Sequence, residues 1–331
     1  MNTISHRHVG LSVLVICVWV SVLAGTFYLV AKPIREPSID FYSYYIAASA
    51  IHRKEPVYAA ETHESVAAVV GIKNADRYPY PPTLAALIQP FLLTSPYVAS
   101  LIWFGINVGL LLIGVGLLYK HINFKDHRVN AALLLLPMLF TLVLMTLYLG
   151  QANILMFVLI SLSYLTFVRE RPYISGAILA LSAWIKVWPI VLVAYFVWKR
   201  EWKVVLGAIV GLVGVGIVTL VLAGPQQTAS FFTDQLPELI REGTYGQLDH
   251  LNQSIPGTFA KMFAPASEYV RPFIENPALA RQGGRIASLI LVAATVILSS
   301  WPITLKNREQ LSTEFMLVTI ATMLIIQRLW E

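Results

Sequence analysis

Four stretches of this chain, residues 79–119, 129–168, 204–232 and 286–305, contain no Asp, Glu, Lys or Arg. A helix needs roughly 20 apolar residues to cross about 30 Å of hydrocarbon. Residues 9–31 make a further apolar run behind the basic tail His6-Arg7-His8, and residues 315–326 begin another. The first of these is too long for a signal-peptide core and has no small-residue cleavage site after it, so it is read as a helix that stays in the protein. Lipid offers no partner for backbone N–H and C=O groups, which leaves helices as the way to bury such runs. The expected fold is an all-α polytopic membrane protein of about eight to ten segments, a single transmembrane domain over residues 1–331. Only 13% of the 331 residues are charged, against about 25% in soluble domains. A soluble enzyme, a disordered chain and a disulfide scaffold are thereby excluded, and Cys17 has no second cysteine to pair with.

Two segments depart from simple spans. Residues 82–95 suffice for only half a helix before a full one at 97–118, and residues 172–198 are interrupted at Lys186-Val187-Trp188-Pro189. Proline cannot continue a helix but suits its first turn, so two short helices are expected there with Pro189 near the start of the second. Broken backbone at membrane depth belongs where protein or a wet cavity surrounds it. Gly207, Gly211, Gly214 and Gly216 share one apolar stretch and are read as a helix-packing face.

Charge sets the orientation. The short loops hold eleven basic residues (Arg7, Lys120, Lys125, Arg128, Arg169, Arg171, Lys199, Arg200, Lys203, Lys306, Arg308) against five acidic ones (Asp126, Glu170, Glu201, Glu309, Glu314). Positive loops stay in the cytoplasm, which puts the long segments 32–78 and 224–285 outside. The formal net charge of +6 is therefore a topology signal, and no nucleic-acid partner is implied.

Polar residues in or beside the apolar runs are the candidate site. Asp40 precedes the aromatic run Phe41-Tyr42-Ser43-Tyr44-Tyr45, expected as a short amphipathic helix starting at Ser38 or Asp40. Asp40 is either its N-cap or a base for an alcohol at the outer surface. Tyr44 is either part of an interfacial aromatic belt or a sugar contact. Tyr80, in Tyr78-Pro79-Tyr80-Pro81-Pro82, marks a rigid helix start and is also a ligand candidate. Gln151 and Asn153 interrupt two spans, either as a capped hairpin turn or as amides that hold sugar hydroxyls. Lys186 is the lone ionisable residue within the apolar runs, Arg328 being taken as flanking. It either snorkels to the headgroups or serves as counter-ion for a lipid phosphate. His250 is a solvated loop residue or an acid, base or phosphate partner, and Asn252-Gln253-Ser254 matches a glycosylation acceptor pattern. No His, Cys, Asp or Glu cluster has metal-ligand spacing and no phosphate-cradling glycine loop is present, so neither metal nor cofactor is expected.

The order of these elements resembles glycosyltransferase family 87, polyprenol-phosphate-dependent mannosyltransferases of the GT-C superfamily. The resemblance is carried by Asp40 with Tyr44 and Ala47-Ala48, Pro56-Val57-Tyr58, the 78–82 motif, Gly150-Gln151-Ala152-Asn153, Gly176 with Lys186 and Pro189, and Asn252-Gln253-Ser254 with Gly257. It implies a GT-C-like helical bundle that moves a hexose, in the first place mannose, from a polyprenyl-phosphate sugar to a glycolipid or glycan acceptor. The reaction is implied to be an inverting displacement on the outer face of a bacterial plasma membrane, building a cell-envelope glycan. Asp40 is implied as the base and Lys186 as the group that stabilises the leaving phosphate. Gln151, Asn153 and Asn252 are implied to orient hydroxyls, and the loop around Asn252 to cover the sugar. Family members continue with further spans and an outer-loop Ser-Pro, Trp and His motif, which implies either a truncated C-terminus or a site without those residues. The competing reading is a lipid-linked sugar flippase or secondary transporter with broken helices; against it, no inverted repeat is visible and the polar residues gather near one face.

Overall fold

The computed structural model describes residues 39–73, 75–122, 141–241, 254–266, 271–299 and 308–325. The expected first span at 9–31, Ser38, His250, Asn252 and Arg328 lie outside the described residues. Among the described residues the secondary structure is helical throughout, with no strand. In chain order the helices are α1 (Ile39–Arg53), α2 (Ala60–Val70), α3 (Pro82–Ile88), α4 (Pro96–Ile122), α5 (Thr141–Leu149), α6 (Asn153–Val168) and α7 (Pro172–Ile185). They continue with α8 (Ile190–Trp198), α9 (Trp202–Ala223), α10 (Pro225–Ser230), α11 (Leu236–Arg241), α12 (Ile255–Phe263), α13 (Pro277–Leu298) and α14 (Arg308–Ile325). Three of these are long and apolar enough to cross a membrane, at Pro96–Tyr119, Trp202–Ala223 and Pro277–Leu298. Shorter apolar helices stand at Pro82–Leu93, Asn153–Val168, Pro172–Ile185 and Leu311–Ile325. The protein is an all-α polytopic membrane protein.

Both irregular segments form as the prolines dictate. Pro82 opens α3 behind an extended Pro81, and a 3₁₀ turn, Gln89–Leu93, ends this half-length element. Helix α7 stops at Ile185 because Lys186 turns extended (φ −136°, ψ 132°), and Pro189 begins α8. The 204–232 stretch is not one helix. Gly224 at φ +90° ends α9, and Pro225 restarts the chain as α10. Much of the expected second outer loop is thus helical.

The described chain forms two compact units. Of the described residues, the first holds 39–46, 67–73, 75–76, 90–122 and 141–161; the second holds 47–66, 77–89, 162–241, 254–266, 271–299 and 308–325. In the first, Leu111 and Val115 of α4 pack against Leu147 and Ile154 of the α5–α6 hairpin. In the second, α7 and α9 meet at backbone distance. A Cβ on Gly176 would lie 1.9 Å from the Val204 carbonyl oxygen, and one on Gly207 would lie 2.1 Å from that of Tyr173. Gly211 and Gly216 likewise face Ala177, Ala180 and Trp184, whereas Gly214 faces open space and takes no part. Small residues allow close approach where the hydrophobic effect gives helices no reason to associate.

The expected amphipathic character of α1 does not hold. Every residue from Asp40 to Ile51 is buried, because aromatic side chains cover the face that would have been wet. Phe41 stacks on Trp103 at 5.8 Å and meets Phe91 at 6.0 Å.

Candidate functional site

Within the first unit, one end of α1 meets the tip of the α5–α6 hairpin. Gly150 (φ +72°) ends α5 with two reversed hydrogen bonds, Gln151 N–H to the Thr146 carbonyl at 3.0 Å and Gly150 N–H to that of Leu147 at 3.3 Å. This is the Schellman arrangement, for which glycine is the least costly residue. Two aromatic side chains hold the tip. Trp103 Nε1–H donates to the Gly150 carbonyl at 2.7 Å, and the Tyr44 hydroxyl accepts from Ala152 N–H at 3.3 Å. Asn153 then donates to Gln151 Oε1 at 2.7 Å, and the Thr146 hydroxyl reaches the same oxygen at 3.5 Å. Gln151 is 3% exposed.

Asp40 sits in the first turn of α1 rather than at its N-cap, and is 8% exposed. A negative charge there is favoured by the helix dipole. Tyr44 lies one turn further on the same helical face. The structure therefore brings Asp40, Tyr44, Gln151 and Asn153 to one end of this unit. Burial raises the Tyr42 hydroxyl above its ordinary range, helped by Tyr97, and burial alone raises that of Tyr45. Both stay neutral hydrogen-bonding groups. Tyr45 uses its hydroxyl to donate to the Thr94 carbonyl at 2.8 Å.

The second unit holds Tyr80 and Lys186. Lys186 is 3% exposed, and its Nζ lies 4.7 Å from the centroid of the Tyr80 ring. That burial does not fit a side chain reaching out to headgroups. A ring face attracts a cation and favours its charged form. Tyr80 is itself fixed by neighbours. Tyr78 O–H donates to the Pro81 carbonyl at 2.6 Å and accepts from Ala85 N–H at 3.0 Å, supplying a partner for a free donor of the first α3 turn. Tyr58, stacked on Tyr78 at 6.2 Å, donates to the Tyr80 carbonyl at 2.9 Å. Its hydroxyl is pushed up strongly by burial. Gln227 closes the turn before it, accepting from Val57 N–H and donating to the Glu55 carbonyl, both at 2.9 Å. Trp184 donates from Nε1 to the Leu212 carbonyl at 2.9 Å and packs against α9.

Some residues escaped the sequence reading. Trp103 and Gln227 carry no charge or motif that marks them. Lys199 and Glu314 were read as loop charges; they form a buried ion pair of 2.6 Å, and Tyr195 O–H donates to the same carboxylate at 3.2 Å. Spacing could have revealed Glu314, since it lies on one helical face with Leu311, Phe315, Val318 and Ala321, all buried.

A sequence model of glycosyltransferase family 87 matches residues 78–327, most of the chain. The chain belongs to glycosyltransferase family 87. It is accordingly a membrane glycosyltransferase, a catalyst that joins a sugar donor to an acceptor. The match takes in Tyr80, Gln151, Asn153 and Lys186, while Asp40 and Tyr44 precede it. No curated protein and no solved structure matches the chain.

Proposed function

We propose that this family-87 member transfers a hexose, mannose in the first place, from a polyprenyl-phosphate sugar to a glycolipid or glycan acceptor on the outer face of a bacterial plasma membrane. The observation that carries the reading is Lys186, a buried cation at a helix break with its Nζ 4.7 Å from the Tyr80 ring. Burying a charge in a membrane protein is costly, so a retained one points to an anionic ligand or relay. A lipid-linked phosphate meets that requirement, and it arrives from the bilayer to which the apolar helices belong.

The chemistry is one inverting displacement. The acceptor oxygen attacks the anomeric carbon while the carbon–oxygen bond to the phosphate breaks, and the bonding pair leaves with the phosphate. Asp40 takes the proton from the acceptor hydroxyl. Lys186 stabilises the charge that grows on the departing phosphate. Gln151 and Asn153 orient sugar hydroxyls, and such positioning can remove a large part of the barrier. Tyr44 holds the hairpin tip that carries Gln151 and Asn153, Tyr80 holds the Lys186 cation over its ring, and His250 and Asn252 contribute from the second outer segment.

The donor class is tested with purified full-length protein in proteoliposomes, supplied in turn with radiolabelled polyprenyl-phosphate mannose and with GDP-mannose. Label appearing in lipid or glycan from the first donor only is the expected result. Transfer from the nucleotide sugar alone would sink the donor assignment.

A further inference from the structure

Helices α8, α13 and α14 of the second unit line a half-open cavity of about 240 Å³, with Ala194, Trp198, Val296, Ala321 and Ile325 among its walls. Two polar wall residues contribute little polarity. Thr295 and Thr322 each donate their hydroxyl to a carbonyl of their own helix, Leu291 and Val318, at 2.7 Å. Ser299 is different. It caps the C-terminus of α13, is 7% exposed and lines the cavity, and its hydroxyl has no hydrogen-bond partner among the described residues. A buried hydroxyl without a partner costs free energy that an incoming acceptor would recover.

An apolar chain with a hydrogen-bond acceptor near one end suits these walls. Ser299 and Trp198 place that end at the C-termini of α8 and α13. Arg200 and Lys203, both exposed, lie a few residues beyond Trp198 with Glu201 between them, and Lys199 pairs with Glu314. On the charge-based orientation this is the cytoplasmic leaflet, where basic residues between membrane helices attract anionic headgroups. Lys186 precedes the opposite end of α8.

We propose that this cavity binds one acyl chain of an anionic phospholipid, its ester carbonyl accepting from the Ser299 hydroxyl and its phosphate drawn to Arg200 and Lys203. The site rests on the membrane orientation and is independent of the donor assignment. Native mass spectrometry of the full chain in detergent, titrated with phosphatidylglycerol or phosphatidylethanolamine, tests it. The wild-type protein should retain one phosphatidylglycerol with about a tenfold preference over phosphatidylethanolamine. Ala321→Trp, which fills the cavity, should abolish retention, and Ser299→Ala should weaken it about fivefold. Arg200→Gln with Lys203→Gln should erase the headgroup preference, which keeps the test alive if Ala321→Trp does not fold. Unchanged retention in folded Ala321→Trp, equal binding of the two lipids to wild type, or displacement of phosphatidylglycerol by polyprenyl phosphate would each overturn the proposal.

Discussion

Charge is so scarce in the apolar runs that a single lysine stands out, and that residue, Lys186, lies buried over the Tyr80 ring. Exchanging it for an uncharged side chain should lower kcat/KM for the lipid-linked donor by about a hundredfold, the usual cost of losing one group that stabilises developing charge. Lys186→Met compared with wild type in donor-saturation kinetics measures this, and an unaltered kcat/KM would remove Lys186 from the site. Tyr80→Leu leaves the charge but removes the ring beneath it. A loss of about tenfold is expected, the scale of a partly desolvated cation–π contact, with the phenylalanine variant near wild type. Lys199 and Glu314 were hidden for the opposite reason, because both stand among other flanking charges in the chain. Only the helical spacing of Glu314 among buried apolar residues betrays it.

At the scale of elements, the prolines and glycines were the most legible letters. Pro82 and Pro189 fix two helix starts, and Gly150 fixes the hairpin turn that carries Gln151 and Asn153. The glycine series in α9 was legible as a packing face, but which members serve depends on how α9 is rotated against α7, and that is a tertiary fact. Gly176→Ala should destabilise the protein by about 3 kcal/mol, because the new Cβ meets backbone that cannot move without separating two helices. Gly214→Ala, which meets nothing within 4 Å, should be neutral or stabilise by up to about 1 kcal/mol. Thermal melts of both variants in one detergent provide the comparison, and equal shifts would contradict the packing account. The Lys199–Glu314 pair ties α14 to the end of α8. Removing one partner, as in Glu314→Gln, should cost about 3–5 kcal/mol, since the other charge stays buried. The double change Lys199→Met with Glu314→Leu should recover most of that loss in the same melts.

For the whole molecule, four charge-free stretches were enough to settle the class of fold, and the described helices follow it. Where each helix ends was less legible. The 204–232 stretch contains no charge to mark its division, and the break is made by Gly224 and Pro225. The burial of α1 was also illegible, because it depends on Phe91 and Trp103, which lie far along the chain. The family match gives the glycosyl transfer, and the proposed base gives its mechanism a point of failure. The most direct measurement is therefore single-turnover transfer from radiolabelled polyprenyl-phosphate mannose by wild-type protein and Asp40→Asn, with matched helical content and melting temperature. The account predicts label transfer by the wild type and a loss of at least about a hundredfold in the variant. Transfer by folded Asp40→Asn at the wild-type rate would contradict it.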